Sequence, residues 1–345
     1  MSILRQSARG QLLLAAIAVT FLCGSFFEDT SALHMQLRFD FDAFCKNPDK
    51  SKCDDVAAQI AYEDPAGGTV VIDVRLKIRG RWGGKSADCQ LPALFVFFDP
   101  QDSVGSIFAG QAMLPLTTHC RHLDRRYADY TISEYLAHRI YMRLSPVSVR
   151  ARLASINYVD TGNNKQRSRY GFFTEHFASV ADRNGREFYE PDLLHLDEFD
   201  QQGMARHALF QYMIGNLDWS AIKSHNVALF RAPDGSVLPA PFDFDYSGLV
   251  SAEYAAPPRH LSVNHVTTRV FRGYCLPDVD WPPIFDEFEA IRDEILLEMQ
   301  SLPWMSSTEL RRVRLWLTRF YDRIESPEGR EAIVASCRAV PESLK

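Results

Sequence analysis

The chain has 345 residues, of which 46% are hydrophobic, and a formal net charge of −6. That is enough apolar material for one large domain or two closely packed ones. The acidic balance, with no basic stripe, excludes nucleic acid as the expected partner, and the sequence carries no internal repeat and no long low-complexity linker.

The N-terminus reads as a secretory leader. Arg5 and Arg9 precede the apolar run "LLLAAIAVTFLC" (12–23), which is short for a membrane span. Small residues follow in "CGS" and "TSA", so the mature chain is expected to start near Ser25–Leu33, with residues 1–25 as signal peptide. An uncleaved anchor is the alternative. Cys23 follows bulky residues where a lipoprotein signal needs small ones. The expectation is an exported protein, periplasmic or extracellular, with no stable membrane span after cleavage.

Removing the leader leaves Cys45, Cys53, Cys89, Cys120, Cys275 and Cys337. An even count in an exported chain predicts up to three disulfides. Cys45 and Cys53 can close the polar loop "CKNPDKSKC". Cys89–Cys120 and Cys275–Cys337 are then the remaining pairs, and free buried thiols are the alternative. No CxxC pair points to zinc.

In chain order, "MQLRFDF" (35–41) and "VVIDVRLKIRG" (70–80) alternate as strands, the second with Ile72, Val74, Leu76 and Ile78 on one face. A Gly-rich turn, "RGRWGGK", leads to the apolar strand "ALFVFF" (93–98). Residues 129–144 carry Ile132, Leu136, Ile140 and Leu144 at helical spacing, with Asp129 or Thr131 as N-cap and Pro146 as the stop. "VRARLASINYVD" (149–160) and "RYGFFTEH" (169–176) form a hairpin. The second half turns helical: 203–215, then a short hairpin (226–230 and 237–242), then helices at 285–302, 307–324 and near 328–339. A β-rich first part (34–185) and a helical second part (186–345) make an α+β chain.

The chemistry concentrates in "GNLDWSAIKSHNVALFRAPDGSVLPAPFDFDYSGLV" (215–250), which holds Asp218, His225, Asn226, Asp243 and Asp245 around that hairpin. In an extended strand Asp243 and Asp245 would point the same way, and two such charges favour a cation between them or a proton on one. Asp and Asn supply hard oxygen ligands suited to Mg²⁺ or Mn²⁺. Turn, cap and ion-pair roles are the alternative for all four residues, and His225, His119 and Trp219 read as packing residues.

Three stretches, "RGRWGGK", "YGFFTEH" and "GNLDWSAIKSHNVALF…PFDFDYSG", in this order over about residues 70–250, resemble the spore-coat CotH family of secreted protein-kinase-like proteins. The resemblance implies a two-lobed kinase-like fold and metal-dependent phosphotransfer from a nucleotide such as ATP to a hydroxyl acceptor, on a protein or a small molecule. By position Asp218 is then catalytic, Asn226 with Asp243 or Asp245 holds metal, and Glu175 matches a family glutamate. The lysine normally offered to the nucleotide is missing from "QLPALFVFF". Lys77 and Lys85 are the stand-ins, with Arg79 and Arg81 behind them and Glu134 as ion-pair partner. Two other readings of the same residues are a non-catalytic pseudokinase-type binding module of the cell envelope and a metal-assisted hydrolase.

Overall fold

The computed structural model describes residues 25–44, 55–64, 67–79, 89–191, 194–303 and 305–341. The apolar leader, the Cys45–Cys53 loop, Arg81 and Lys85 lie outside them.

Seven strands close into a barrel. They are β1 (Leu33–Phe39), β2 (Val56–Glu63), β3 (Thr69–Ile78), β4 (Leu94–Phe98), β5 (Met113–Thr117), β6 (Ala151–Asp160) and β7 (Gln166–Thr174), in the order β1-β2-β3-β4-β5-β7-β6. All neighbours are antiparallel except β1 and β6, whose parallel register Leu33↔Ala154 to Phe39↔Asp160 closes the ring. Period-2 burial explains the interior. Leu37, Ile60, Leu76, Val96, Leu116 and Ile156 are buried inward, while Arg38, Gln59 and Arg75 face out.

This closed barrel overturns the expected two-lobed kinase-like fold. The correction has a physical source. β2 and β5 carry weaker alternation than β3, and the closing β1–β6 pair joins strands more than a hundred residues apart, a contact that local patterning cannot announce.

A short helix, α1 (Ser25–Glu28), precedes the barrel and plugs it. Phe26 and Phe27 are buried in the barrel core. Phe26 meets Phe108 and Phe173 at ring-centroid distances of 5.1 and 5.6 Å, and Arg152 lies over its face and donates to its carbonyl. Residues read from the sequence as signal-peptide flank are therefore core.

Between β5 and β6 runs α2 (Arg125–Leu144), capped by Asp124, which accepts from the Arg126 N–H. The cap thus lies earlier than the expected Asp129 or Thr131. Asp129 instead receives the Ser306 N–H and Oγ at 2.8 Å each, tying down the start of a later helix. Ile132 and Tyr135 face β6 and β7, and Leu136, Ile140 and Tyr141 face the helical body.

After α3 (Phe177–Arg183), a three-stranded sheet is built from β8 (Glu187–Phe188), β9 (Val227–Arg231) and β10 (Val237–Pro241). Helix α4 (Gln201–Ile214) sits between β8 and β9 in sequence. Four helices follow: α5 (Trp281–Ala290), α6 (Arg292–Ser301), α7 (Ser307–Glu325) and α8 (Pro327–Ala335). The expected single helix 285–302 is two, breaking at Ile291.

Both foreseen disulfides among the described residues are present, Cys89–Cys120 and Cys275–Cys337. No described helix is long and apolar enough to cross a membrane.

Phe26→Ala removes an aromatic ring from a closed barrel and should lower stability by about 3–5 kcal/mol. Urea unfolding of the two proteins measures it. A loss below about 1 kcal/mol would show that the α1 plug is not part of the barrel core.

Candidate functional site: an acid-floored cleft at the barrel end

The cleft lies where the ends of β3 and β5 meet α2 and the segment after β10. It comprises two adjoining cavities of about 280 and 470 Å³, both bordered by Arg79, Thr117, Glu134 and Asp243. The smaller is rimmed by Tyr127, Tyr130, Tyr246 and Tyr254, with Asp245 beside them. The larger is apolar, with Phe95, Met113, Phe177 and Phe242 in its wall and the segment Thr174–Phe177 at its edge.

The segment after β10 brings Phe242, Asp243 and Asp245 to the cleft, while Asp218 and Asn226, at the other end of the β9–β10 hairpin, line neither cavity. Helix α4 ends at Gly215, which takes left-handed φ 66° and would bring a Cβ to 2.5 Å from the Trp316 ring. Glycine is required there on both counts. The chain then turns through Asn216, whose side-chain oxygen accepts the Asp218 N–H at 2.9 Å. Ser220 and His225 exchange two backbone hydrogen bonds of 2.9 Å, so the loop folds back on itself. That fold returns Asn226 to Asp218. The Asn226 amide donates to the Asp218 carbonyl (2.8 Å) and carboxylate (3.2 Å), and His225 Nε2 meets the other carboxylate oxygen at 2.9 Å. Asp218 is thus held from two sides while its side chain keeps 33% exposure.

Across the hairpin, the Phe242 N–H donates to the Asn226 carbonyl at 3.1 Å, which sets Asn226 beside Asp243. Both residues have positive φ, 53° and 63°. Such conformations are uncommon for non-glycine residues and cluster at functional sites. Asp243 and Asp245 are therefore not on an extended strand, since β10 ends at Pro241. Phe244 between them is fully buried against His138 and Phe210. Asp243 is exposed and Asp245 half-buried.

Glu134 reaches the same floor from α2. Burial, then the Asp245 and Asp243 charges, raise its pKa well above the carboxylate range. Burial, then Asp243, push Asp245 up to about 8 despite a hydrogen bond from Tyr254. Arg79 faces both acids and lowers both, and its guanidinium also donates to Thr117 Oγ1 at 3.0 Å.

Of the two lysines proposed from sequence, only Lys77 is among the described residues. Lys77 pairs with Phe95 in the β3–β4 ladder and lines neither cavity, and Lys85 lies outside the described residues. Glu175, at the edge of the larger cavity, is buried and gripped by Arg183 with contacts of 2.9–3.1 Å. It is an anchor for α3. Sequence reasoning passed over Tyr246, Tyr254 and Arg272. The buried Arg272 donates to the Leu217 and Trp219 carbonyls at 2.5 and 3.0 Å, on either side of Asp218. Only a buried arginine beside the motif could have pointed to it, and burial is not written locally.

Among the described residues no three His, Cys, Asp or Glu side chains form a group able to hold a metal ion by themselves. The donors are nonetheless hard oxygens, with Arg79 facing Glu134 and Asp245. That suits an ion that completes its shell with phosphate oxygens, as Mg²⁺ does when one or two carboxylates hold it, rather than an ion resident in an all-protein cage.

No protein-family model matches the chain, and no curated protein matches it in sequence.

The acid cluster sets a pH dependence for the ion-free protein. Asp245 has a folded pKa near 8 against an ordinary 3.8. Its contribution is full below about pH 4 and is lost as pH rises through 8, because only the unfolded chain ionises in that window. His119 and His122, in contact at 2.6 Å, act in the opposite sense. Burial lowers them from 6.5 to about 3 and about 4, so their contribution is present above pH 6.5 and lost as pH falls. Asp245→Asn keeps the histidine background and removes the carboxylate. In chelator, its melting temperature should fall less between pH 6 and 9 than that of the parent protein. Parallel melting curves would place Asp245 in an ordinary solvated setting.

Proposed function

We propose that the chain is an exported, divalent-cation-dependent phosphotransferase that moves a phosphoryl group from a nucleotide to a hydroxyl acceptor. The reading keeps from the CotH resemblance the order of acids and amide, and leaves its fold aside. The observation that carries it is the gathering of Glu134, Asp243 and Asp245 on one cleft with Arg79 as the cation facing Glu134 and Asp245, and with Asp218 near enough for its charge to act on Asp245. Acids so gathered repel one another unless a proton or a divalent cation joins them.

In this reading Asn226, Asp243 and Asp245 hold Mg²⁺ or Mn²⁺, which supplies charge neutralisation to the phosphates when bound. Arg79 stands where a lysine was expected and faces phosphate oxygens, with Glu134 orienting its guanidinium. The apolar cavity lined by Phe95, Met113, Phe177 and Phe242 takes the nucleotide's base. Asp218 receives the acceptor's hydroxyl proton while that oxygen bonds to the terminal phosphorus and the bridging P–O bond breaks, releasing the nucleoside diphosphate. His225 and Asn226 keep the Asp218 carboxylate aimed during that transfer. Two disulfides agree with passage through an oxidising compartment.

Thermal melting with nucleotide, Mn²⁺ or Mg²⁺, and both together tests the reading. Joint stabilisation that exceeds the sum of the separate effects is expected, and Asp243→Asn should abolish it without lowering the ion-free melting temperature. Stabilisation by nucleotide alone in chelator, or by neither ligand, would overturn it. Where turnover is measurable, Asp218→Asn should cut kcat by roughly 10²–10⁴, the usual worth of a positioned base. Release of inorganic phosphate with no phosphorylated acceptor would assign the site to a hydrolase instead.

A further inference from the structure

We infer that Arg272 is the positioning residue of the Asp218 turn and that the Cys275–Cys337 disulfide keeps it in place, which makes the site sensitive to reduction of that one bond. The inference rests on the catalytic role proposed for Asp218.

Two buried groups in the turn are left open: among the described residues the Trp219 indole N–H has no partner, and neither does the Asn216 side-chain amide. One guanidinium joins the two carbonyls on either side of Asp218. Arg272 Nη1 binds the carbonyls of Leu217 and Trp219, and the cation lies 5.5 Å from the Trp219 ring. These two carbonyls flank Asp218, so their separation fixes the direction in which its carboxylate leaves the chain. Burial lowers Arg272 to about 10, while Asp218 acts to raise it. A charged group held at this depth against its own desolvation needs a firm scaffold.

The scaffold is the C-terminal segment. Arg338 Nε donates to the Arg272 carbonyl at 2.7 Å. The Arg338 N–H donates to the Gly273 carbonyl at 2.8 Å, and the Cys275 N–H to the Arg338 carbonyl at 2.9 Å. Tyr274 and Arg338 form a parallel bridge, with the guanidinium of Arg338 4.4 Å from the Tyr274 ring. Gly273 leaves no slack, because a Cβ there would meet the Phe271 ring at 2.5 Å and Ala208 of α4 at 2.9 Å. Past α8 the chain carries no further helix or strand through residue 341. The covalent tie that keeps this segment against residues 272–275 is the disulfide, and Cys275 is exposed at the surface. Cys89, in the other pair, is buried. A small dithiol reaches Cys275–Cys337 first. Two electrons and two protons pass from the dithiol, which closes to its own disulfide, and the protein gains two thiols. The segment around Arg338 is then held without a covalent tie, by its three hydrogen bonds, the Tyr274 ring contact and the packing of Val340.

Hydrogen–deuterium exchange on the full chain tests the inference with Cys275→Ser/Cys337→Ser, which leaves Cys89–Cys120 intact. Amides of residues 216–220 should exchange at least tenfold faster, while barrel strands β1 to β7 keep their parent rates. Arg338→Ala should give a smaller change in the same segment. In turnover the double variant should lose kcat with KM for the nucleotide unchanged, and Arg272→Lys should keep more activity than Arg272→Gln. Unchanged exchange at 216–220 in both the disulfide variant and Arg338→Ala overturns the inference, whatever the protein's activity. Faster exchange there in a protein that never transfers phosphate leaves the brace standing and rejects the function.

Discussion

Helix α2 is the constraint on which the rest depends. Fifteen of its twenty residues are buried, because the barrel lies against one side and the helical body against the other. Burial on every face gives the helix no polar stripe, so each polar group on it must find a specific partner. Arg139 binds Glu298 at 2.5 Å, Asp129 takes Ser306, and His138 meets the Val149 carbonyl at 3.2 Å. Glu134 differs from them. Its neighbours are Asp243 and Asp245, with Arg79 as the compensating charge. A carboxyl group buried beside two others is expensive, and its setting makes sense as part of a ligand-binding floor rather than as packing.

The same economy of anchoring holds at the β9–β10 hairpin. Asn226 and Asp243 take left-handed backbone conformations at the open end of one hairpin. Each costs about 1–3 kcal/mol where nothing compels it. Here the β9–β10 register and the Phe242–Asn226 hydrogen bond compel both. The geometry throws Phe244 into the core and leaves the flanking acids facing the cleft, a division of labour that a regular strand would not give.

What the sequence disclosed follows the range of each interaction. The helices over 203–215 and 307–324, the alternation of Ile72 to Ile78 and the hairpin after Asn226 depend on neighbours within a few residues, and the observed elements match them closely. Parity, once a leader was assumed, announced disulfides but not their connectivity; the expected Cys89–Cys120 and Cys275–Cys337 pairs are the ones present. Barrel closure was not legible, since the β1–β6 pair has no local signal. Nor was the role of Phe26, whose apolar character merges with the leader before it. The acids and amide of 218–245 were visible as residue types. Of the basic residues the sequence offered as their cation, Lys77 lines neither cavity, Lys85 and Arg81 lie outside the described residues, and Arg79, just past the end of β3, lines both cavities with Glu134.

The cleft and its brace draw on different parts of the chain. Glu134 and Arg79 come from elements fixed by barrel packing, Asp243 and Asp245 from a hairpin end, and Asp218 from a turn held by Arg272. The first four rest on dense hydrophobic contacts whose loss would unfold the molecule. The Asp218 turn is held by Asn216, Asn226 and the Ser220–His225 pair, and by two hydrogen bonds from Arg272 to the carbonyls on either side of it. Local stability follows the density of buried apolar contacts, so in this loop the exposed residues Lys223, Ser224 and His225 are the part able to open without global unfolding, while Leu217, Trp219 and Ile222 are buried. On the proposed phosphotransfer reading, holding the ligands and aiming the base rest on different parts of the chain and can change independently.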